Sequence, residues 1–299
     1  MTLPGDRFDY SAIVDREPLK LPNDARIVVW TIVNVEDWDI RGPMPRTVLP
    51  APGGASVIPD VPNWAWYEYG MRVGFWRLKE ALDRHRIKAT MAINAAVCLS
   101  YPRIADAARD ADWEFMGHGY TQQALHLADD QRDVIHRSVE TIRGYLGRPP
   151  RGWLGPGLTE TWDTLDILAE EGIEYVSDWV ADDQPFEIKT TSRPLLMVPY
   201  TLELNDIPMM LVQHHPAREL FDRAKDQFDR LYEEGRHTAR IMAIAVHPYI
   251  SGVPQRIKYF EQIYEYMRQH PGVLFWRGEE ILDWYRGLRQ PESDAPHSP

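Results

Sequence analysis

Ile27-Val-Val-Trp-Thr-Ile-Val-Asn-Val-Glu-Asp-Trp-Asp39 is the stretch from which the fold is read. Its first seven residues are apolar apart from Thr31, and mostly β-branched, the composition of a strand buried on both faces. A carboxylate pair inside such a strand would carry a severe desolvation cost. Glu36 and Asp37 are therefore expected where the strand leaves the core. In α/β proteins sites are built at that carboxyl end. Adjacent side chains there point different ways, so one acid can act as a base while the other orients a partner or holds a metal. Two solvated loop acids would give the same letters.

The same unit recurs along the chain. Strands are predicted at Ala89–Asn94, Trp113–Met116, Gly152–Leu154, Glu174–Ser177, Leu195–Val198, Met209–Val212, Ile241–Val246 and Val273–Phe275. Helices are predicted at Val73–His85, Tyr101–Ala111, Asp129–Leu146, Thr161–Glu171, Ala217–Glu234, Gln255–His270 and Gly278–Arg289. Gly147 and the two prolines after it make a strong stop. Alternating strands and helices give an α/β class with a mainly parallel sheet. Short strands that repeatedly end in Asp, His or Trp suit a distorted barrel with its site on one rim. Residues 1–24 read as a proline-broken arm, 25–289 as one domain and 290–299 as a disordered tail. Ile40–Asn63, rich in Pro and Gly, is a loop long enough to be functional or to make contacts.

Composition narrows the function classes. The chain has 299 residues, is 44% hydrophobic and carries a formal charge of −12. No basic cluster appears, so nucleic acid and anionic membranes are poor partners and a small-molecule substrate is expected. Its single cysteine, Cys98, excludes an internal disulfide and any cysteine zinc site. With no apolar leader or long apolar run, a cytoplasmic protein is expected.

The candidate chemistry lies at strand exits. His118 sits between two glycines after a strand, and His247 ends the most apolar strand of the chain. Each alone also fits a structural histidine. A shared rim would bring Glu36, Asp37, His118 and His247 into one cavity. Asp178, Asp182 and Asp183 also fit solvated loop acids, and Asn205-Asp206 fits an ordinary turn pair. His214 and His215 have no assigned role. Arg256 opens a helix, where a cation is mildly disfavoured, which hints at use on a substrate or a carboxylate.

The order of these motifs resembles the polysaccharide deacetylase (NodB-homology) family over roughly residues 26–285. The signs are the acid pair, the His118-Gly-Tyr-Thr segment, Gly152-Trp153, Asp178-Trp179 and the late His247. The resemblance implies a distorted (β/α) barrel and hydrolysis of C–N bonds other than peptide bonds. It puts Glu36 at the base position, Asp37 at a metal position and His247 as general acid. His118 matches the first of two metal histidines four apart, but Gln122 stands where the second belongs. Gln is a poor ligand for zinc-like ions, so either no metal or one weakly held divalent ion, zinc first, is expected. A Glu base and a broken His pair resemble the subgroup of PuuE-type allantoinases and cyclic-imide hydrolases, as does Val198–Asp206. The implied activity is opening of a cyclic amide, imide or ureide. A metal-dependent N-deacetylase of an N-acetylated sugar and a binding homologue without turnover are the alternatives. Trp38, Tyr120, Trp153, Asp178, Trp179, Tyr200, Asn205 and Arg256 are the expected substrate contacts. Trp64 and Trp66 are further candidates for the pocket wall, and Tyr120, Arg256 and backbone N–H groups for the oxyanion. A homo-oligomer, dimer or tetramer, is expected through the arm and the long loop.

Overall fold

The computed structural model of the chain describes residues 4–55 and 57–289. Strand β1 (Ile27–Val35) is buried at all nine positions. It pairs in parallel with β2 (Thr90–Ile93), β8 (Arg240–Val246) and β9 (Val273–Phe275). From β2 the sheet continues in parallel through β3 (Glu114–Gly117), β4 (Gly152–Trp153), β5 (Tyr175–Val176) and β7 (Leu195–Met197). Among the described residues, only β6 (Phe186–Ile188) runs antiparallel, at the far edge beside β7. The curled sheet is an incomplete barrel. Its open side is bridged by Ile241 N–H donating to Asp183 O and by a single bridge from Asn205 to Ala245.

Helices pack on the outside. They include α1 (Val61–Tyr69), α2 (Phe75–Arg84), α3 (Val97–Ser100), α4 (Pro102–Asp110) and α5 (Gln131–Leu146). The rest are α6 (Thr164–Glu170), α7 (Glu219–Glu234), α8 (Ile257–Met267) and α9 (Gly278–Arg289). Gly147 closes α5 in the left-handed conformation (φ 77°), the stop its sequence predicts. The outer core holds Val29, Val33 and Phe75, and the barrel interior holds Trp30, Tyr175 and Tyr200. Trp30 Nε1 donates to Thr90 Oγ1, which in turn donates to buried Glu114. A large indole fully buried and hydrogen-bonded pins the barrel interior.

Two predicted features differ. Met209–Val212 is not a strand but part of a helical turn, Ile207–Val212. A short apolar run does not by itself distinguish the two conformations. Trp64–Tyr69, for which no element is predicted, lies in α1, which continues through a wide π-type turn, Gly70–Gly74, into α2. The arm lies against the body: Arg7 makes a bidentate pair with Asp166 and Arg16 another with Asp182. The tail expected at 290–299 lies outside the described residues. Among the described residues, no helix is long and apolar enough to cross a membrane.

Candidate active site

Strands β1 and β8 deliver the two residues that meet at the rim. Their registers align Val33 with Val246, so Glu36 and His247 leave neighbouring strand ends. Glu36 Oε1 lies 3.5 Å from His247 Nε2. Both are buried, Glu36 at 2% exposure and His247 at 4%. A carboxylate removed from water needs donors. Glu36 Oε2 accepts from Trp38 Nε1 at 2.6 Å and from the Tyr249 hydroxyl at 3.1 Å. Burial first, then the Glu36 charge, holds the Tyr249 pKa well above the usual tyrosine value, so its hydroxyl keeps the donated proton. Tyr67 stacks on Trp38 and donates to the Glu36 carbonyl.

The imidazole is fixed from its other side. His247 Nδ1 lies 2.6 Å from Asp206 Oδ1, and Asp206 Oδ2 accepts from His247 N–H at 2.8 Å and from Ser251 Oγ at 2.6 Å. A fully buried carboxylate at Nδ1 assigns the proton there and leaves Nε2 facing Glu36. Asp206 is the residue the sequence reading passed over. Asn-Asp after a polar stretch looks like a turn, and the one signal was its place in a segment that already resembled the family's.

His118 reaches the rim from β3. Its Nδ1 lies 2.6 Å from Leu154 O and so carries the proton, leaving Nε2 as an acceptor. Burial, partly opposed by Glu36, lowers its pKa to about 4, which keeps the ring neutral.

The metal site implied by the resemblance does not fit these residues. The Asp37 carboxylate accepts from Ser100 Oγ, on the end of α3. Gln122 accepts from Asn94 Nδ2 at 3.2 Å. Among the described residues, no three His, Cys, Asp or Glu side chains come together as a metal cluster, whereas a tight catalytic site normally uses three protein ligands. His126 is exposed and offers no replacement.

The other expected contacts divide. Trp38 lies beside Glu36, and Tyr200 and Asn205 lie beneath it: Asn34 and Asn205 amides both reach the Tyr200 hydroxyl, at 3.4 and 3.3 Å. Trp66 packs edge-on against Trp38 and Tyr249, and Trp64 Nε1 donates to Trp38 O. Trp153 is corrected: it is fully buried in the cluster under α5 and α6, because its strand turns it outward, away from the barrel interior. Arg256 donates to Ile250 O at 3.3 Å, and Tyr120 lies under the Arg137 guanidinium at 4.1 Å. Asp178 accepts from Gly155 N–H at 2.7 Å and lies close enough to Glu160 to feel its charge, and the Glu160 carboxyl takes Trp179 Nε1 at 3.0 Å. Burial raises the pKa of both acids, that of Glu160 to about 7. Cys98 is a buried core thiol, its pKa pushed up to about 12 by burial.

Residues 64–176 match the family model for polysaccharide deacetylase. A putative polysaccharide deacetylase of Schizosaccharomyces pombe is 28% identical over 298 residues, covering 90% of this chain and 92% of the relative. The crystal structure of a probable polysaccharide deacetylase from Pseudomonas aeruginosa superposes with a TM-score of 0.80 at 28% identity, covering 90% of this chain and 94% of that one. PuuE allantoinase shares the fold, with a TM-score of 0.82 at 24% identity and coverage of 94% and 99%. The chain is thus similar to polysaccharide deacetylases along most of its length, and is a polysaccharide deacetylase-like hydrolase of C–N bonds.

Proposed function

We propose that this enzyme opens a small cyclic amide, imide or ureide with its own side chains. The observation that carries the reading is the Glu36–His247–Asp206 chain, with 3.5 Å between base and imidazole and 2.6 Å between imidazole and orienting carboxylate. A water held between Glu36 Oε1 and neutral His118 Nε2 attacks the carbonyl carbon. Glu36 takes the water proton as the C–O bond forms, and the carbonyl π pair moves onto oxygen. As the C–N bond breaks, protonated His247 gives its Nε2 proton to the leaving nitrogen. The proton on Glu36 then returns to His247, which restores the starting state. In a ring substrate the leaving amine stays attached to the product.

A small substrate is supported by the packed aromatic wall of Trp38, Trp66, Tyr67 and Tyr249, and by the name of the allantoinase that shares the fold. The family resemblance implies a divalent metal, but the donor set described above does not fit one, and no step here uses it. A metal-dependent N-deacetylase is the second reading, favoured by the name of the matching family model. A hydrolysis screen of cyclic imides, ureides and N-acetyl sugars, with and without chelator, separates the two. Cyclic substrates turned over in chelator support the first; acetyl sugars turned over only with metal support the second.

A cytoplasmic homo-oligomer belongs to the same reading. Tyr10 and Val14 on the arm are 92% and 86% exposed, and the long loop exposes Val48, Leu49, Val57 and Ile58. Light scattering at micromolar concentration is expected to give a dimer or tetramer; a monomer would count against assembly.

A further inference from the structure

In the reading above, charge develops on the carbonyl oxygen, and the site around Glu36 has few donors free to receive it. Trp38 Nε1 and the Tyr249 hydroxyl are both engaged by Glu36 Oε2. The Tyr67 hydroxyl is engaged by Glu36 O, and His118 Nδ1 by Leu154 O. Asn94 Nδ2 is shared between His118 O and Gln122. His247 Nε2 is committed to the leaving nitrogen. Arg256 and Tyr120, the sequence candidates, are held by Ile250 O and against Arg137.

The loop after Asp39 brings one more cation. Its near end is Trp38, which touches Glu36. Its far end is pinned by buried Asn63, whose Oδ1 accepts from Val48 N–H at 2.8 Å and Leu49 N–H at 3.0 Å. The next residue of α1, Trp64, donates back to Trp38 O at 3.0 Å. Both ends are thus tied beside Glu36, and the segment between them forms an arch whose Met44 packs on the outer core. Arg46 lies on that arch, next to Pro45, whose ring restricts the backbone. It is half-buried and has no hydrogen bond or ion pair among the described residues. Its charge is felt at both His118 and Tyr249, the two rings that flank Glu36.

We propose that the Arg46 guanidinium binds the scissile carbonyl oxygen and holds the negative charge that forms on it. The inference rests on the metal-free reading of this site, in which no ion does that work. A fixed donor aimed at a developing oxyanion acts mainly on the transition state, so its removal lowers kcat more than it raises KM.

The test is steady-state kinetics of Arg46→Ala and Arg46→Lys beside the wild type. The substrate is the cyclic imide or ureide that the wild type turns over, in chelator, with unfolding curves to check each fold. Arg46→Ala is expected to lose roughly 10²-fold or more in kcat, the scale for one oxyanion donor. Methylguanidinium added to that variant is expected to restore part of the rate, which a merely structural role would not allow. Arg46→Lys should keep the charge but lose the forked geometry, and fall between the two. Wild-type kcat in either folded variant overturns the proposal. So does a loss confined to KM, which would assign Arg46 to ground-state binding. A wild type inactive on every cyclic amide removes the functional reading instead, before Arg46 is in question.

Discussion

Glu36 is a carboxylate at the end of a strand that is apolar up to Val35 apart from Thr31 and Asn34, and it stays almost fully buried because Trp38 and Tyr249 donate to it. Removing its charge leaves the donors but not the base. Glu36→Gln and His247→Ala are each expected to lower kcat by roughly 10²-fold or more, with the fold intact by circular dichroism. Near-wild-type turnover in either would end the assignment. Asp206 acts through the imidazole. Asp206→Asn is expected to lower kcat by about 10²- to 10⁴-fold, because an amide no longer fixes the Nδ1–H tautomer. KM should stay close to normal and the pH dependence of kcat should shift; an unaltered pH profile would reduce Asp206 to a structural role. Glu36 and His247 were legible in sequence because each follows an apolar run. Asp206 was not, since its partner is 41 residues away and nothing in Asn-Asp distinguishes a buried carboxylate from a turn. Arg46 was hidden for the same reason, inside a Pro-rich loop with no periodicity.

At the scale of elements, the site depends on a close approach between the turn Gly70–Gly74 and the loop after β8. A Cβ on Gly74 would lie 2.0 Å from Pro248 O, and one on Gly70 2.6 Å from Tyr249 N. These glycines let the helix sit directly on the His247-Pro248-Tyr249 backbone. Gly74→Ala must push that loop away, so it is expected to cost roughly 1–3 kcal/mol despite the better helix propensity of alanine, and to lower kcat through His247. Urea unfolding together with kinetics checks both; an unchanged midpoint and rate would show that the contact yields freely. The closing elements were readable: the short strand Val273–Phe275 and the amphipathic helix Gly278–Arg289 have the predicted bounds. The misread run Met209–Val212 has an apolar sequence that suits strand or helix, and the choice is made by Asn205 and Asp206, which anchor its start to β8.

For the whole molecule, the half-buried Glu160–Asp178 pair ties stability to pH. Burial holds Glu160 at about 7 in the fold, above its ordinary 4.5. A raised folded pKa means the protonated form is favoured by folding. That contribution is fully present below about pH 4.5 and is lost as pH rises through 7. Glu160→Gln is expected to flatten the stability profile over that window and to unfold at higher urea than wild type near pH 8. A variant with the wild-type slope would exclude the pair as its cause. The barrel class was legible because strand and helix alternate and Glu36, Asp37, His118 and His247 each follow a strand, whereas the arm's docking through Arg7 and Arg16 depends on partners more than 150 residues away. The central claim is that Glu36 and His247 hydrolyse a cyclic amide without a metal. It is tested most directly by turnover of cyclic imides and ureides by metal-stripped protein, with Glu36→Gln as the control. The account predicts turnover by the stripped wild type and a loss of roughly 10²-fold or more in the variant. Hydrolysis that appears only when a divalent metal is added back, and only on N-acetylated sugars, would contradict it.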